Sequence, residues 1–252
     1  MQLRTCHLSG EKLLIYLGSK NRLSKHIAPI IQSYVDKGCN GYIEPFVGGA
    51  NMIDKIKCDN RIGSDVDKYV IAALQGLQDG LEPPREVSKE LYEDIKNNKD
   101  KYSDFLVGYI GYELSFGAKW FGGYVKRNDK KCHGDIYSYK SCMKQAPLLK
   151  DITFKCCSFE EYKDIEGYVI YCDPPYAGTT PYKQPEFPYE KFYDWCRKMG
   201  EKNIVLISEY SMPDDFECIW QKEMMCTLDS NRKENDKKNI RVEKLFTYKH
   251  EI

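Results

Sequence analysis

Short apolar runs alternate along this chain with stretches in which apolar residues recur at helical spacing, the pattern of an α/β sheet protein. Residues Lys12 to Tyr34 open with an apolar run, turn at Gly18 and continue as a helix. Tyr42 to Phe46 reads as a strand, Val47 to Asn51 as a tight loop, and Asn51 to Lys57 as the start of a helix. Arg61 to Ser64 is a second strand that ends at Asp65, and Asp67 to Leu77 is helical. Pro83-Pro84 breaks the pattern. From there to about Pro147 the chain is rich in aromatic, glycine and charged residues with an irregular helical pattern, as expected of an inserted domain. Strand patterns resume at Ile152 to Phe159, at Tyr168 to Cys172, which is of the fully buried type, and at Asn203 to Ser208. Glu217 to Met225 and Val242 to Tyr248 suit an antiparallel hairpin at the sheet edge. Repeats and low-complexity segments are absent from the sequence.

Composition narrows the class. The 252 residues suffice for one large α/β domain or a domain with a sizeable insertion. No stretch approaches the run of about 20 apolar residues a membrane helix needs, and Met1 to Gly10 lacks a signal-peptide pattern, so a cytoplasmic protein is expected. The 11 cysteines are odd in number, scattered, and form no C-x-x-C pair, which favours reduced thiols acting as small hydrophobes. Cys132-His133 has no second ligand pair nearby, so no metal is expected. The formal net charge of zero argues against binding nucleic acid through bulk charge. Charge is nevertheless segregated. Lys119, Lys126, Arg127, Lys130, Lys131, Lys140 and Lys144 cluster, Arg232 to Lys244 is a second basic run, and Asp79 to Asp104 is rich in acids. From charge alone, a solvated surface explains this as well as a polyanion partner does.

Chemistry concentrates at Asp173-Pro174-Pro175-Tyr176. A buried strand delivers this segment at its carboxyl end, where ligands bind in open α/β sheets. Two prolines remove two backbone donors and stiffen the chain, leaving the Asp173 carboxylate and the Pro174 carbonyl as acceptors. An aromatic amine is a weak nucleophile because its lone pair is delocalised into the ring. Two acceptors holding its hydrogens favour a pyramidal nitrogen able to attack a sulfonium methyl in line, and they act most strongly as charge grows. Tyr176 suits stacking on a base taken out of a duplex. A mere proline-rich turn is the bland alternative. The second motif, Glu44-Pro45-Phe46-Val47-Gly48-Gly49-Ala50-Asn51, places glycines after the first strand, where backbone can approach a ligand. It is neither a dinucleotide fingerprint nor a phosphate loop. Asp65 suits a ribose diol or, more plainly, a helix cap. Tyr16-Leu17-Gly18-Ser19-Lys20 offers an aromatic and a lysine around a turn.

In this order the motifs resemble the alpha-group, Dam-like adenine-specific DNA methyltransferases of bacteria and phages, over nearly the whole chain. The resemblance implies a Rossmann-like, S-adenosylmethionine-dependent methyltransferase sheet from residues 1–82 and 148–252, with a mostly helical target-recognition insertion at 83–147. It implies that Tyr16, Lys20, Asp65 and Asp173 contact S-adenosylmethionine, with Phe46 and Gly48 lining the pocket. Asp173, Pro174, Pro175 and Tyr176 would hold a flipped adenine. Phe116 to Tyr124 looks like the family's aromatic and glycine stretch, with Lys119, Lys126 and Arg127 suited to DNA and Arg232 in the last basic loop. The partner implied is double-stranded DNA, and a monomer without metal is the default. Ala50-Asn51 departs from the family's glycine-rich continuation; an alanine there permits close approach if its backbone angles are ordinary.

Three other readings share these residues. Cytosine can be methylated at its exocyclic amine by the same chemistry, although serine more often replaces the acid there. RNA or a free amide could present the planar amine. A catalytically idle DNA-binding module is the reading from another class, against which the intact Asp173 and Tyr176 speak.

Overall fold

The computed structural model describes residues 20–125, 135–176, 187–225 and 240–248. Strands β1 (Gly41–Glu44), β2 (Arg61–Asp65), β3 (Ile152–Cys156), β4 (Tyr168–Cys172), β5 (Ile204–Glu209), β6 (Phe216–Met225) and β7 (Ile240–Tyr248) form one seven-stranded sheet. Its order is β3-β2-β1-β4-β5-β7-β6. The first five are parallel, and β7 enters antiparallel between β5 and β6. This is the Rossmann-like sheet expected, with the expected hairpin at its edge. Strand order reverses between β1 and β4, the crevice where such sheets bind ligands.

The buried strands explain why the sheet holds. Tyr42, Ile43, Val169, Ile170, Tyr171, Val205, Leu206 and Ile207 are all at most 2% exposed, and full burial of an aliphatic side chain contributes roughly 1.5–3 kcal/mol. Helix α1 (Asn21–Val35) covers one face through Leu23, Ile27 and Ile31, four residues apart on a single stripe. Helix α2 (Lys68–Gln78) follows β2, with Asp67 as N-cap accepting from the backbone N–H of Tyr69 and Val70. On the other face lies α6 (Tyr189–Gly200), whose buried Phe192, Cys196 and Met199 also share a stripe. That helix falls in a stretch the sequence pattern did not single out.

Residues 83–147 contain α3 (Lys89–Asn97), α4 (Asp104–Glu113) and α5 (Asp135–Gln145) among short turns, the mostly helical segment expected. They share an apolar core with the sheet. Helix α4 lies against α2 at close range. A Cβ added to Gly108 would stand 2.2 Å from the Tyr69 carbonyl oxygen, and one added to Gly76 would stand 2.2 Å from the Phe105 ring.

Three expectations need correction. The helix expected over Asn51 to Lys57 is one 3-10 turn at Ile53–Lys55. Ile53 and Ile56 are both buried at the spacing of three that such a turn serves, and Ile56 is already extended. The strand expected to reach Phe159 stops at Cys156, because Ser158 caps a second 3-10 turn, Phe159–Tyr162. The first strand ends at Glu44, so Phe46 leaves the sheet and joins an aromatic cluster. Cys142, Cys172 and Cys196 are buried free thiols, as small hydrophobes would be, while Cys156 and Cys218 are exposed. Among the described residues no group of three His, Cys, Asp or Glu side chains is arranged as metal ligands. No described helix is long and apolar enough to cross a membrane.

Candidate active site

Four chain segments deliver their polar groups to one end of the sheet. Strand β1 ends in Glu44 and the loop from Pro45 to Ala50, β2 ends in Asp65, and β4 runs into Asp173 to Tyr176. Because β7 runs the other way, its first half, with Arg241 and Glu243, lies at that same end; Lys244 pairs with Glu209 at the end of β5.

Asp173 is the hub. Its Oδ1 lies 3.0 Å from the Lys20 Nζ, and Lys20 also stands 3.8 Å from Glu243 Oε2. The same ammonium sits 4.3 Å from the centroid of the Tyr176 ring. The Tyr176 hydroxyl donates to Glu243 Oε2 at 3.1 Å, and the Tyr210 ring meets the Tyr176 ring edge-on at 4.6 Å. Arg241 donates to the Tyr210 hydroxyl at 3.2 Å. Behind Asp173, Tyr171 and Ser208 exchange a buried hydrogen bond of 2.8 Å between β4 and β5. Tyr189 donates to the Pro175 carbonyl at 3.0 Å, pinning the proline turn to α6. Pro174 is buried and Pro175 exposed.

Burial dominates the electrostatics. It raises the Asp173 pKa above the ordinary carboxylate value, with Lys20 pulling the other way. For Lys20 burial pushes down, but the attraction of Asp173 and Glu243 outweighs it, so its pKa stands above the usual value. The Tyr176 hydroxyl is pushed far up by burial and by Asp173 and Glu243. Glu44, fully enclosed, has its pKa driven well up by burial despite a 2.7 Å bond from the Tyr42 hydroxyl.

The second half of the site surrounds the glycine loop. The Asp65 carboxylate accepts from the Gly48 N–H at 3.3 Å and from the Asp67 N–H at 3.0 Å. Burial, the largest cause, pushes its pKa up to about 6, while those backbone donors pull it down. Helix capping, the plainer role considered for Asp65, belongs to Asp67. Ala50 takes a φ of 55°, so its backbone angles are not the ordinary ones that the sequence reading required. Gln145 at the end of α5 holds this turn, donating to the Gly49 carbonyl at 2.9 Å. Phe46 packs among Phe159, Phe187 and Phe192, with ring centroids 5.6–5.8 Å apart.

Residues 16–107 match the family model described as D12 class N6 adenine-specific DNA methyltransferase. That match, over the first part of the chain, agrees with the family the motifs resemble. The description of that model names the enzyme class expected from the motifs. The chain is 22% identical over 194 residues to the Type II methyltransferase M.FokI of Planomicrobium okeanokoites, covering 66% of this chain and 29% of that protein. It is 24% identical over 235 residues to the Type II methyltransferase M1.LlaDCHI of Lactococcus lactis subsp. cremoris, covering 79% of this chain and 80% of the other. A solved structure, PH1948 from Pyrococcus horikoshii, covers 96% of this chain and 92% of its own at 10% identity with a TM-score of 0.44, too loose a likeness to bear on function.

Of the residues expected at a D12-type site, Lys20, Asp173 and Tyr176 are together, with Pro174 and Pro175 in the turn between. Gly48 and Asp65 form a second group, while the Phe46 ring packs in the aromatic cluster with Phe159, Phe187 and Phe192. Lys119 is exposed, beside a Phe116 that is 74% exposed at the start of a turn with three left-handed residues, Gly117, Ala118 and Phe121. Tyr16, Lys126, Arg127 and Arg232 lie outside the described residues. Sequence reasoning missed Glu243 and Tyr210, placed Arg241 only within the last basic run, and quoted Glu44 without a role. Glu243 sits in a strand with no motif around it. In the sequence it is one of three acids, with Glu234 and Asp236, scattered through the basic run Arg232 to Lys244, so nothing there singled it out.

Proposed function

We propose that this chain transfers a methyl group from S-adenosylmethionine to the exocyclic amine of an adenine rotated out of double-stranded DNA. The observation that carries the reading is the Asp173 carboxylate set beside the Tyr176 ring at the end of β4, next to the glycine loop across the switch point. An amine needs the first, a base face the second, and a nucleoside cofactor the third.

The residues fit that cofactor. Asp65 is an acceptor fixed by two backbone N–H groups, which leaves its outer lone pairs for a ribose diol. Phe46 and Gly48 wall the same corner. Bound there, the cofactor supplies an electrophilic methyl group. The protein does the rest. Asp173 and the Pro174 carbonyl take the two amine hydrogens, so the nitrogen lone pair leaves conjugation. The Asp173 charge then meets the positive charge that grows on nitrogen. Burial raises the pKa of that carboxyl, which makes Asp173 the better acceptor for the proton the amine sheds. Tyr176 and Tyr210 form an aromatic corner for the base.

The helical stretch 83–147 serves, in this reading, as the target-recognition insertion, with exposed Lys119 and the basic residues Lys126, Arg127 and Arg232 on phosphates. The protein would work in the cytoplasm, as a monomer and without a metal. The test is methyl transfer to duplex DNA by the purified chain, followed by digestion to nucleosides and mass identification. N6-methyladenine that disappears in Asp173→Asn supports the reading. N4-methylcytosine, or product made only on RNA, replaces it with one of the other readings, and an unimpaired Asp173→Asn refutes the mechanism.

A further inference from the structure

In this structure the lysine stands where the amine should go. Lys20 holds Asp173 at 3.0 Å and caps the Tyr176 ring at 4.3 Å, and the proposed reaction gives those two groups to the base. An ammonium and an amino group are both donors seeking the same carboxylate, so they compete for it. Lys20 is 8% exposed, so its charge is largely shielded from water and depends on nearby acids. A second carboxylate is within reach: Glu243 Oε2 lies 3.8 Å from the same nitrogen, so a small swing of a flexible four-carbon stem carries the charge from one acid to the other. Glu243 Oε2 also accepts the Tyr176 hydroxyl, so the same side chain fixes the ring on which the base would lie.

We propose that Glu243 is a positioning residue that receives the Lys20 ammonium when the target amine claims Asp173, and that holds the Tyr176 ring in place for the incoming base. The inference rests on the methyl-transfer reading and adds to it a residue from the antiparallel strand. Its logic is electrostatic. With Lys20 on Glu243, the Asp173 charge is released for the nitrogen that turns positive; with nowhere to go, Lys20 keeps Asp173 neutralised and its acceptor site filled.

Glu243→Gln tests this, because it keeps the shape and an oxygen for Tyr176 but removes the charge that draws Lys20. The expected result is a fall in kcat of about 10–100-fold, the size of a lost charge-assisted hydrogen bond, with cofactor affinity unchanged. Glu243→Asp should retain more activity than Glu243→Gln. The decisive arm is Lys20→Met/Glu243→Gln. If Glu243 serves to draw the lysine away, removing the lysine restores part of the loss, and the double variant outpaces Glu243→Gln. Each variant is first checked for a wild-type circular dichroism spectrum, and Glu243→Met, which also removes the charge, stands in if Glu243→Gln fails to fold. A Glu243→Gln enzyme as fast as wild type overturns the inference, as does a double variant slower than or equal to the single one. A wild-type chain that methylates no DNA overturns the underlying reading and this inference with it, an outcome distinct from either.

Discussion

Gln145 is the joint between the helical stretch and the glycine loop after β1, and truncating it should be costly. Its side chain is fully buried and donates to the Gly49 carbonyl at 2.9 Å, with Ala50 O at 3.4 Å. Gln145→Ala leaves the Gly49 carbonyl buried without its donor, a penalty of roughly 1–3 kcal/mol. The four heavy atoms lost open a void on the order of 60–80 Å³, which at about 24 cal/mol per Å³ adds roughly 1.5–2 kcal/mol. The total is about 3–5 kcal/mol, a fall in Tm on the order of 6–20 °C for a chain of this length. Gln145→Glu separates the two contributions, since it leaves no void. At neutral pH it sets a carboxylate against the Gly49 oxygen and beside Asp54, whose own pKa is already raised, chiefly by burial. Protonating the introduced carboxyl restores a donor, so this variant should regain stability relative to Gln145→Ala as pH falls from about 7.5 to 5.5. Thermal melts at both pH values, with and without cofactor, give the measurement. Cofactor affinity should drop in both variants, because the left-handed Ala50 turn loses its brace. A Gln145→Ala melt within about 2 °C of wild type would refute this account.

Other outcomes follow from the same geometry. The Asp65 pKa of about 6 means that the carboxylate form, the better acceptor for a diol, fills as pH rises through that value. Cofactor affinity should therefore rise between pH 5 and 7 and level off above, a step that calorimetry should find abolished in Asp65→Asn. For stability the sign is opposite: a carboxyl with a raised folded pKa favours the folded state at low pH, and that contribution is lost as pH climbs from about 4 to 6. Gly108→Ala must move α4 away from the Tyr69 carbonyl, so it should lower stability by about 1–3 kcal/mol in chemical denaturation; a neutral result would contradict the contact. Ala50→Gly relieves about 1–2 kcal/mol of left-handed strain but loses a buried methyl and gains chain entropy worth a similar sum. It should melt near wild type, whereas Ala50→Val should be clearly destabilised.

The legible parts were those in which one residue's neighbours in sequence are also its neighbours in space. The buried strand Tyr168–Cys172 leading into Asp173, and the acid Asp65 ending β2, came from local pattern alone. The hairpin edge was legible too, from its alternation. Less legible were places where distant chain decides the outcome. Nothing local to Ala50 reports a left-handed turn, because the brace is Gln145, 95 residues along. The 3-10 turn at Ile53–Lys55 stands where a helical pattern was plain, since burying Ile53 and Ile56 overrode propensity. Lys20 reads as a cofactor ligand from its own motif, yet its ion-pair partners Asp173 and Glu243 come from the end of β4 and from β7. Glu243 has no motif, only a place created by running β7 backwards.

The backbone-to-backbone seat of α4 on α2 limits how the molecule can work. With no room for even a methyl between Gly108 and the Tyr69 carbonyl, α4 cannot tilt on α2 without opening a gap in the shared core. Helix α4 is thus seated firmly on α2 and is a poor candidate for a hinged cover. If the chain acts on duplex DNA as proposed, any closing over the duplex falls to elements other than α4.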